Sequence, residues 1–167
     1  RLIAETLMQF ASYPEEWRMF VEWFRTLPLF IELDGFRVVH ACWDTALIRE
    51  YLAANFPPVF DKTFIQRSAD KSTLEGRAMD RLTRGTDLAL PDGRSMQSKD
   101  GYKRRMFRTK FWAKDPQILG DVAFQPDPLP EDIANASLSG EDKDGLIYYG
   151  PKEKPVFVGH YWLQGKP

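Results

Sequence analysis

The sequence predicts an α/β fold, because helical and strand segments alternate along one chain of 167 residues. Residues 2–11, 14–26 and 45–55 have the apolar spacing of helices. Residues 29–41 and 155–158 are rich in β-branched and aromatic side chains, which is typical of strands. A chain of this length forms one domain with a sizeable core, so residues 1–167 are treated as a single domain.

The helix over residues 14–26 begins at a proline, which suits a first helical position. Its apolar stripe has the spacing i, i+3, i+4, i+7 and consists of Trp17, Phe20, Val21 and Phe24. Such a stripe usually packs against a core and carries no chemistry, so we expect core packing here.

Two further helices have recognisable ends. Asp44 or Thr45 is placed to cap the helix over residues 45–55, and the prolines at 57 and 58 would stop it. From residue 60 to about 90 the amphipathic pattern is weak, and it predicts a helix that finishes near Gly85.

Asp-Gly pairs predict the turns between strands. Asp34-Gly35 separates two β-rich runs, which predicts a hairpin with a type I′ turn and positive φ at both residues. Asp-Gly pairs recur at 92–93 and 100–101, and residues 102–112 are predicted to form a strand. Residues 114–145 are rich in Pro, Asp, Gly and Ser, which predicts a long surface connection.

The net charge, the cysteine count and the length of the apolar runs exclude several classes of function. A net charge of -1 gives no electrostatic case for binding nucleic acid or an anionic membrane. Cys42 is the single cysteine, so neither a disulfide framework nor a cysteine-rich zinc module is possible, and we expect a small apolar filler. No apolar run approaches the roughly 18–20 residues of a membrane span, and the default location is cytoplasmic. The helical pattern starts close to Arg1 without a cap, so we expect a longer protein.

The two histidines, His40 and His160, occur in the same local context. Each ends or follows a strand-like run, in "FRVVH" and "VFVGH". Ligands gather outside the carboxyl ends of strands in helix-covered sheets, and neutral imidazole binds Zn, Mn and Fe. We therefore predict that both rings share one cation. The alternative, two hydrogen-bonded structural histidines, stays open at this stage.

The segments "LPLFIELDGFRVVHACWD", "RLTRGTDLALPDGRSMQSKDGYKRRMFRTKFW" and "KPVFVGHYW" resemble the second half of a calcineurin-like metallophosphoesterase. The similar branch is the bacterial one described as diadenosine-tetraphosphatase-like or serine/threonine-phosphatase-like, and the resemblance runs from about residue 14 onward. It implies part of a four-layer α/β/β/α sandwich, with residues 60–145 as an inserted helix-plus-hairpin segment. It also implies two divalent metal ions (Mn, Fe, Zn or Mg), with His40 and His160 binding the same one.

The chain departs from this family in one respect. The other ligands of the family lie in Asp-x-His, Gly-Asp-x-x-Asp-Arg and Gly-Asn-His motifs, and these 167 residues contain none of them. Two imidazoles alone leave a divalent cation under-coordinated. We therefore expect these residues alone to be inactive, and the remaining ligands to come from an N-terminal portion of the same protein.

Other candidate residues surround this predicted site. The segment "KRRMFRTKFW" offers Arg104, Arg105 and Arg108 for phosphate oxygens, and its rings could stack on a nucleobase. A solvated basic strand edge explains the same residues. Asp44 is a candidate for orienting a ligand or lining the rim, and its alternative role is the helix cap.

Three functions follow from these observations. The first is a metal-dependent phosphoesterase that hydrolyses phosphate esters, including phosphoprotein, or dinucleoside polyphosphates through metal-activated water. The second is a non-catalytic, phosphoesterase-like module that binds a partner protein. The third is a structural domain in which both histidines are core residues.

Overall fold

A computed structural model describes residues 3–54, 60–97, 101–124 and 128–161. It is 43% helical and 16% strand, which confirms the predicted α/β class. The helices are α1 Ala4–Gln9, α2 Pro14–Thr26, α3 Thr45–Ala53, α4 Lys62–Ser68, α5 Leu74–Arg84, α6 Leu119–Val122, α7 Glu131–Ala134 and α8 Gly140–Gly145. The strands are β1 Phe30–Glu32, β2 Arg37–Val39, β3 Asp87–Ala89, β4 Met96–Gln97, β5 Lys103–Arg104, β6 Met106–Arg108 and β7 Val156–Val158. Among these helices, none combines the length and apolar character needed to cross a bilayer.

The main sheet has the strand order β1-β2-β7. β1 and β2 form the predicted antiparallel hairpin, whereas β2 and β7 are parallel, with Val39 opposite Val158. The connection from β2 to β7 contains α3 to α8 and two small ribbons, β3-β6 and β4-β5. Because β2 and β7 are parallel, their carboxyl ends lie at the same edge of the sheet.

The hairpin turn differs from the predicted type. Neither Asp34 nor Gly35 has the positive φ that a type I′ turn requires, so that prediction is wrong. Asp92 and Gly93 do have positive φ, 56° and 66° respectively. An Asp-Gly pair therefore favours a turn without fixing its type, which depends on the segments that the turn joins.

One face of the main sheet packs against α3, α4 and α5, and we call this layer the first core. Its buried residues are Leu29, Phe30, Val39, Trp43, Ile48, Tyr51, Phe64, Ala78 and Leu82. The predicted cap of α3 is confirmed, because the Asp44 carboxylate accepts from the Leu47 amide at 3.0 Å. α5 ends at Gly85 with φ 80°, as predicted. The weak pattern of the sequence did not predict α4.

The opposite face of the sheet is apolar and open in the described part of the chain. Ile31, Val38 and Phe157 lie side by side across the three strands, because alternate residues of a strand point to opposite faces. Phe157 is 61% exposed and Ile31 39%. Leu33 and Phe36 at the hairpin end are exposed as well. The described residues contain one such sheet with helices on one face, so the four-layer sandwich stays a prediction.

The apolar stripe of α2 does not pack into a core, which corrects the expectation from its periodicity. No residue of α2 is buried, and Phe20 and Phe24 are about half exposed. The carboxyl end of α2 contacts the residue that precedes α4, because the Phe60 amide donates to the Arg25 carbonyl at 3.2 Å. Periodicity placed the stripe correctly, but it carries no information on what the stripe contacts.

A second core lies within residues 60–145, the predicted insertion. Its buried residues are Leu90, Met96, Phe107, Leu119, Val122, Ile133 and Leu138. The predicted strand over 102–112 is two short strands, β5 and β6, separated by Arg105. The expectation of a surface connection over 114–145 is wrong, because α6 and α7 bury side chains here. Helices of four residues are too short to show a helical period in the sequence.

Candidate metal centre

The structure brings His40 and His160 together at the carboxyl edge of the main sheet. His40 follows β2 directly, and the amides of Gly159 and His160 both donate to its carbonyl, at 3.0 and 2.8 Å. The two ring centroids are 5.2 Å apart, with 57° between the planes. The parallel register of β2 and β7 therefore positions two side chains that are distant in sequence.

This separation fits a shared cation. Imidazole nitrogens bind zinc at about 2.0–2.1 Å, which places the centroids of two rings on one cation roughly 4.5–5.2 Å apart. His40 is exposed and His160 is half-buried. The interpretation of both histidines as core residues is therefore wrong.

The surroundings of His160 lower the pKa of its imidazole. Partial burial lowers its pKa, and the positive charge of Arg108 and the neighbouring His40 lower it further. A backbone hydrogen bond with Arg84 acts in the opposite direction. A lowered pKa favours the neutral ring, which is the form that binds metals.

The described residues do not complete a coordination shell. Over the ranges that the structure describes, no group of three or more His, Cys, Asp or Glu side chains could hold a metal ion. Two imidazoles would supply only part of the coordination shell of a cation.

Of the three arginines predicted to bind substrate, Arg108 is the one that the structure places beside the histidines. Its Nη1 lies 3.4 Å from the His160 carbonyl oxygen, and its Cζ lies 5.8 Å from the centroid of the Tyr161 ring. Arg104 lies instead on the β4-β5 ribbon, opposite Met96. Arg105 follows it, and its carbonyl accepts from the Leu90 amide at 2.8 Å.

Asp44 and Cys42 follow His40 closely but have structural environments of their own. The Asp44 carboxylate caps α3 and lies 3.8 Å from Arg81 Nε, so the cap interpretation is confirmed, and a role in orienting a ligand stays a prediction. Cys42 is fully buried, and burial raises its pKa to about 12. A thiol in this state is an inert core residue, as expected from the sequence.

The sequence did not reveal how the end of α5 contributes to the site. The Ala41 amide, next to His40, donates to the Leu82 carbonyl at 2.8 Å, and His160 bonds to the backbone of Arg84. At Gly85 an added Cβ would lie 2.6 Å from the Tyr161 hydroxyl oxygen, so a side chain would not fit. The pattern around residue 85 indicated a helix end, but no local signal connects that end to His160.

A cavity of about 620 Å³ adjoins this region without containing the histidines. Its lining includes Arg84, Thr86, Asp87 and Thr109, from the end of α5 and the β3-β6 ribbon. Burial raises the pKa of Asp87, against the lowering effect of Arg108 and Arg84. Arg84 therefore lines this cavity and also contacts His160 through its backbone.

Comparison of this chain with models of known protein families, with curated proteins and with solved structures finds no match. The resemblance to metallophosphoesterases therefore stays a prediction from the short motifs around the two histidines.

Proposed function

We propose that this chain is part of a metal-dependent phosphoesterase, with His40 and His160 as two ligands of one cation. The observation that carries the proposal is the 5.2 Å separation of the two rings at the carboxyl edge of parallel strands. The resemblance of the sequence around both histidines to calcineurin-like metallophosphoesterases supports the reaction class. The substrates are phosphate esters or dinucleoside polyphosphates.

The residues of the chain would have distinct roles. A pair of divalent cations supplies the activation of water and the neutralisation of phosphate charge in such enzymes. His40 and His160 would hold one cation through neutral nitrogens. The backbone of Arg84 would fix the ring of His160, as second-shell groups do for metal-bound histidines. Arg108 would bind phosphate oxygens beside them.

The open face of the main sheet supports the four-layer arrangement. Sheets that pack face to face bury apolar side chains on both inner surfaces, about 10 Å apart. Ile31, Val38 and Phe157 provide such a surface, opposite the face that packs against the first core. A second sheet on this surface, from a polypeptide with the missing motifs, would bring carboxylates to the histidine edge.

The test is the metal content and turnover of the intact gene product. We expect Mn²⁺ to support hydrolysis of p-nitrophenyl phosphate and EDTA to remove it. Replacement of either ligand (His40→Ala or His160→Ala) should abolish turnover while the circular dichroism spectrum is retained. Undiminished turnover in both variants, or an intact protein without metal and without turnover, would contradict the proposal.

The alternative function is a non-catalytic, phosphoesterase-like module that binds a partner protein. It is favoured by the lack of a third ligand in the described ranges and by the exposed apolar side chains of α1 and α2. Large exposed apolar patches mark interaction sites. The same experiment distinguishes the two functions, because a module of this kind would neither retain metal nor hydrolyse the ester.

A further inference from the structure

The cavity beside α5 is a space that the proposed metal site does not use. Its volume is about 620 Å³, and cavities of about 300–1,000 Å³ are typical of small-molecule sites. Its walls come from α3, α5, the β3-β6 ribbon and the end of α8, and neither His40 nor His160 lines it. Elements that are far apart in the sequence therefore surround a space large enough for a small ligand.

Two arginines of α5 line this cavity, and in the described chain their guanidinium groups donate no hydrogen bond. Arg81 and Arg84 are three residues apart, which places them on the same face of the helix. Arg81 Nε lies 3.8 Å from an oxygen of Asp44, although the arginine side chain is only 31% exposed. Arg84 Nε lies 3.7 Å from an oxygen of Asp80. Both separations exceed the length of a hydrogen bond, so both guanidinium groups keep donors for a ligand.

Asp87 is the unpaired carboxylate of this cavity. Within the described ranges it accepts no hydrogen bond and has no cationic group within 4 Å. The three other carboxylates of the lining each have a cation within that distance, and they are Asp44, Glu50 and Asp80. Desolvation raises the pKa of Asp87, against the lowering effect of Arg108 and Arg84, so the cavity disfavours its charged form. A cationic group of a ligand would offset that cost.

The β3-β6 ribbon and the segment after α8 contribute apolar side chains to the same cavity. Leu88, Met106 and Leu146 line it, and none of the three is buried. Met106 is 52% exposed. A hydrocarbon group of a ligand would cover these side chains, and the removal of apolar surface from water favours such a contact.

We propose that this cavity binds a small zwitterion, an α-amino acid with an apolar side chain. The ligand carboxylate accepts from Arg81 and Arg84, whose forked guanidinium groups match a planar carboxylate. The ammonium group pairs with Asp87, and the side chain contacts Leu88 and Met106. A zwitterion also fits the charge of the described lining, because its four cations and four carboxylates leave no net charge. The inference does not rest on the phosphoesterase, since neither proposed metal ligand lines the cavity.

The test is calorimetric titration of the intact protein with L-leucine, in EDTA at pH 7.5. We expect saturable binding at one site. Two analogues each lack one charged group: 4-methylpentanoate has no ammonium group, and 3-methylbutylamine has no carboxylate. Each should bind at least about tenfold more weakly than L-leucine, because a hydrogen bond between charged groups is lost. Glycine should also bind more weakly, since it lacks the apolar side chain.

Two substitutions test the two charged groups of the ligand separately. Arg81→Gln should weaken the binding of both L-leucine and 4-methylpentanoate at least about tenfold. Asp87→Asn should weaken the binding of L-leucine by a similar factor without weakening that of 4-methylpentanoate. Arg49→Gln and Asp92→Asn are the matched controls, because both residues are exposed and neither lines the cavity. Both controls should bind L-leucine as wild type does.

Several results would overturn the inference. They are the absence of saturable L-leucine binding, an affinity for either analogue equal to that for L-leucine, an equal loss in the controls, and wild-type affinity in Asp87→Asn. Should Arg81→Gln lose its circular dichroism spectrum, Arg81→Lys and Asp87→Asn decide the question by the same criteria.

The metal site is tested separately from this cavity. His40→Ala should bind L-leucine as wild type does, whatever its effect on turnover. Loss of L-leucine binding in His40→Ala would place the ligand at the histidines and overturn the inference.

Discussion

His40 and His160 meet because the strands that carry them are parallel and in register. Val39 and Val158 are paired, so His40, one residue past β2, and His160, two residues past β7, lie at the same edge. The His40 carbonyl accepts two amides from the turn that leads to His160, which ties the second ring to the first. The site therefore depends on backbone pairing rather than on a long side-chain network.

The reactivity of the Cys42 thiol reports whether the segment that follows His40 stays buried. Its side chain is fully buried, and burial raises its pKa to about 12, so the thiol is protonated at pH 8. We expect iodoacetamide to leave the folded protein unmodified over hours and to alkylate the protein rapidly in denaturant, as measured by mass spectrometry. Rapid labelling under native conditions would show that the chain after His40 opens.

Glu32 makes the stability of the hairpin depend on pH. Partial burial would raise its pKa, but hydrogen bonds from Lys154 and Arg37 outweigh this effect and hold the pKa below its usual value. Because the folded pKa is the lower one, the stabilisation is present above the unfolded pKa, about 4.5, and is lost as the pH falls below it. Glu32→Gln should therefore flatten the dependence of the unfolding free energy on pH below about 5. An unchanged pH dependence would contradict this assignment.

Among the elements, α3 depends on its cap. Asp44 satisfies the Leu47 amide and lies near Arg81, so one side chain both starts α3 and faces α5. Asp44→Ala should lower the free energy of unfolding by about 1 kcal/mol, measured by urea denaturation. Asp34→Ala is the control, because Asp34 is an exposed turn residue without such a bond in the described chain. Equal stability of the two variants would exclude the cap as a source of stability.

The helices α1 and α2 leave large apolar side chains exposed. α1 and α2 present Met8, Met19 and Trp23 with more than half of each side chain exposed. Short helices without a packed apolar face have little stability of their own. Together with the open face of the sheet, they give the described chain two exposed apolar surfaces.

On the scale of the whole molecule, the first and second hydrophobic cores both stabilise the chain. A third cluster, formed by Ala41, Cys42, Phe111 and Tyr161, packs against Tyr149, Val156 and Val158 as the first core does, and it includes the residues that follow both histidines. The Tyr161 hydroxyl donates to the Thr109 carbonyl at 3.0 Å, which joins the histidine edge to the insertion. Disruption of the second core should therefore also disturb the positions of His40 and His160.

Ile133 tests the contribution of the second core to stability. It is fully buried in the second core although the sequence predicted a surface connection there. Ile133→Ala should lower the free energy of unfolding by about 2–5 kcal/mol, because it removes buried methyl groups and leaves a cavity. Ile65→Ala is the control, since Ile65 in α4 is 42% exposed and should lose little. A small effect at Ile133 would mean that the second core does not form.

The sequence predicted those parts of the fold that depend on local pattern. β-rich runs placed His40 and His160 at strand ends, and Gly85 marked the end of α5. Contacts between distant elements were not predictable in this way, because no local signal connects Arg84 or Tyr161 to the histidines. The stripe of α2 shows the same limit, since periodicity identifies an apolar face and leaves its contact undefined.

The most direct test of the shared cation is X-ray absorption spectroscopy of the intact protein loaded with zinc. We expect two imidazole ligands on one ion, with nitrogen at about 2.0–2.1 Å, and the loss of one imidazole in His160→Ala. Zinc bound without imidazole, or bound identically in wild type and in His160→Ala, would contradict it.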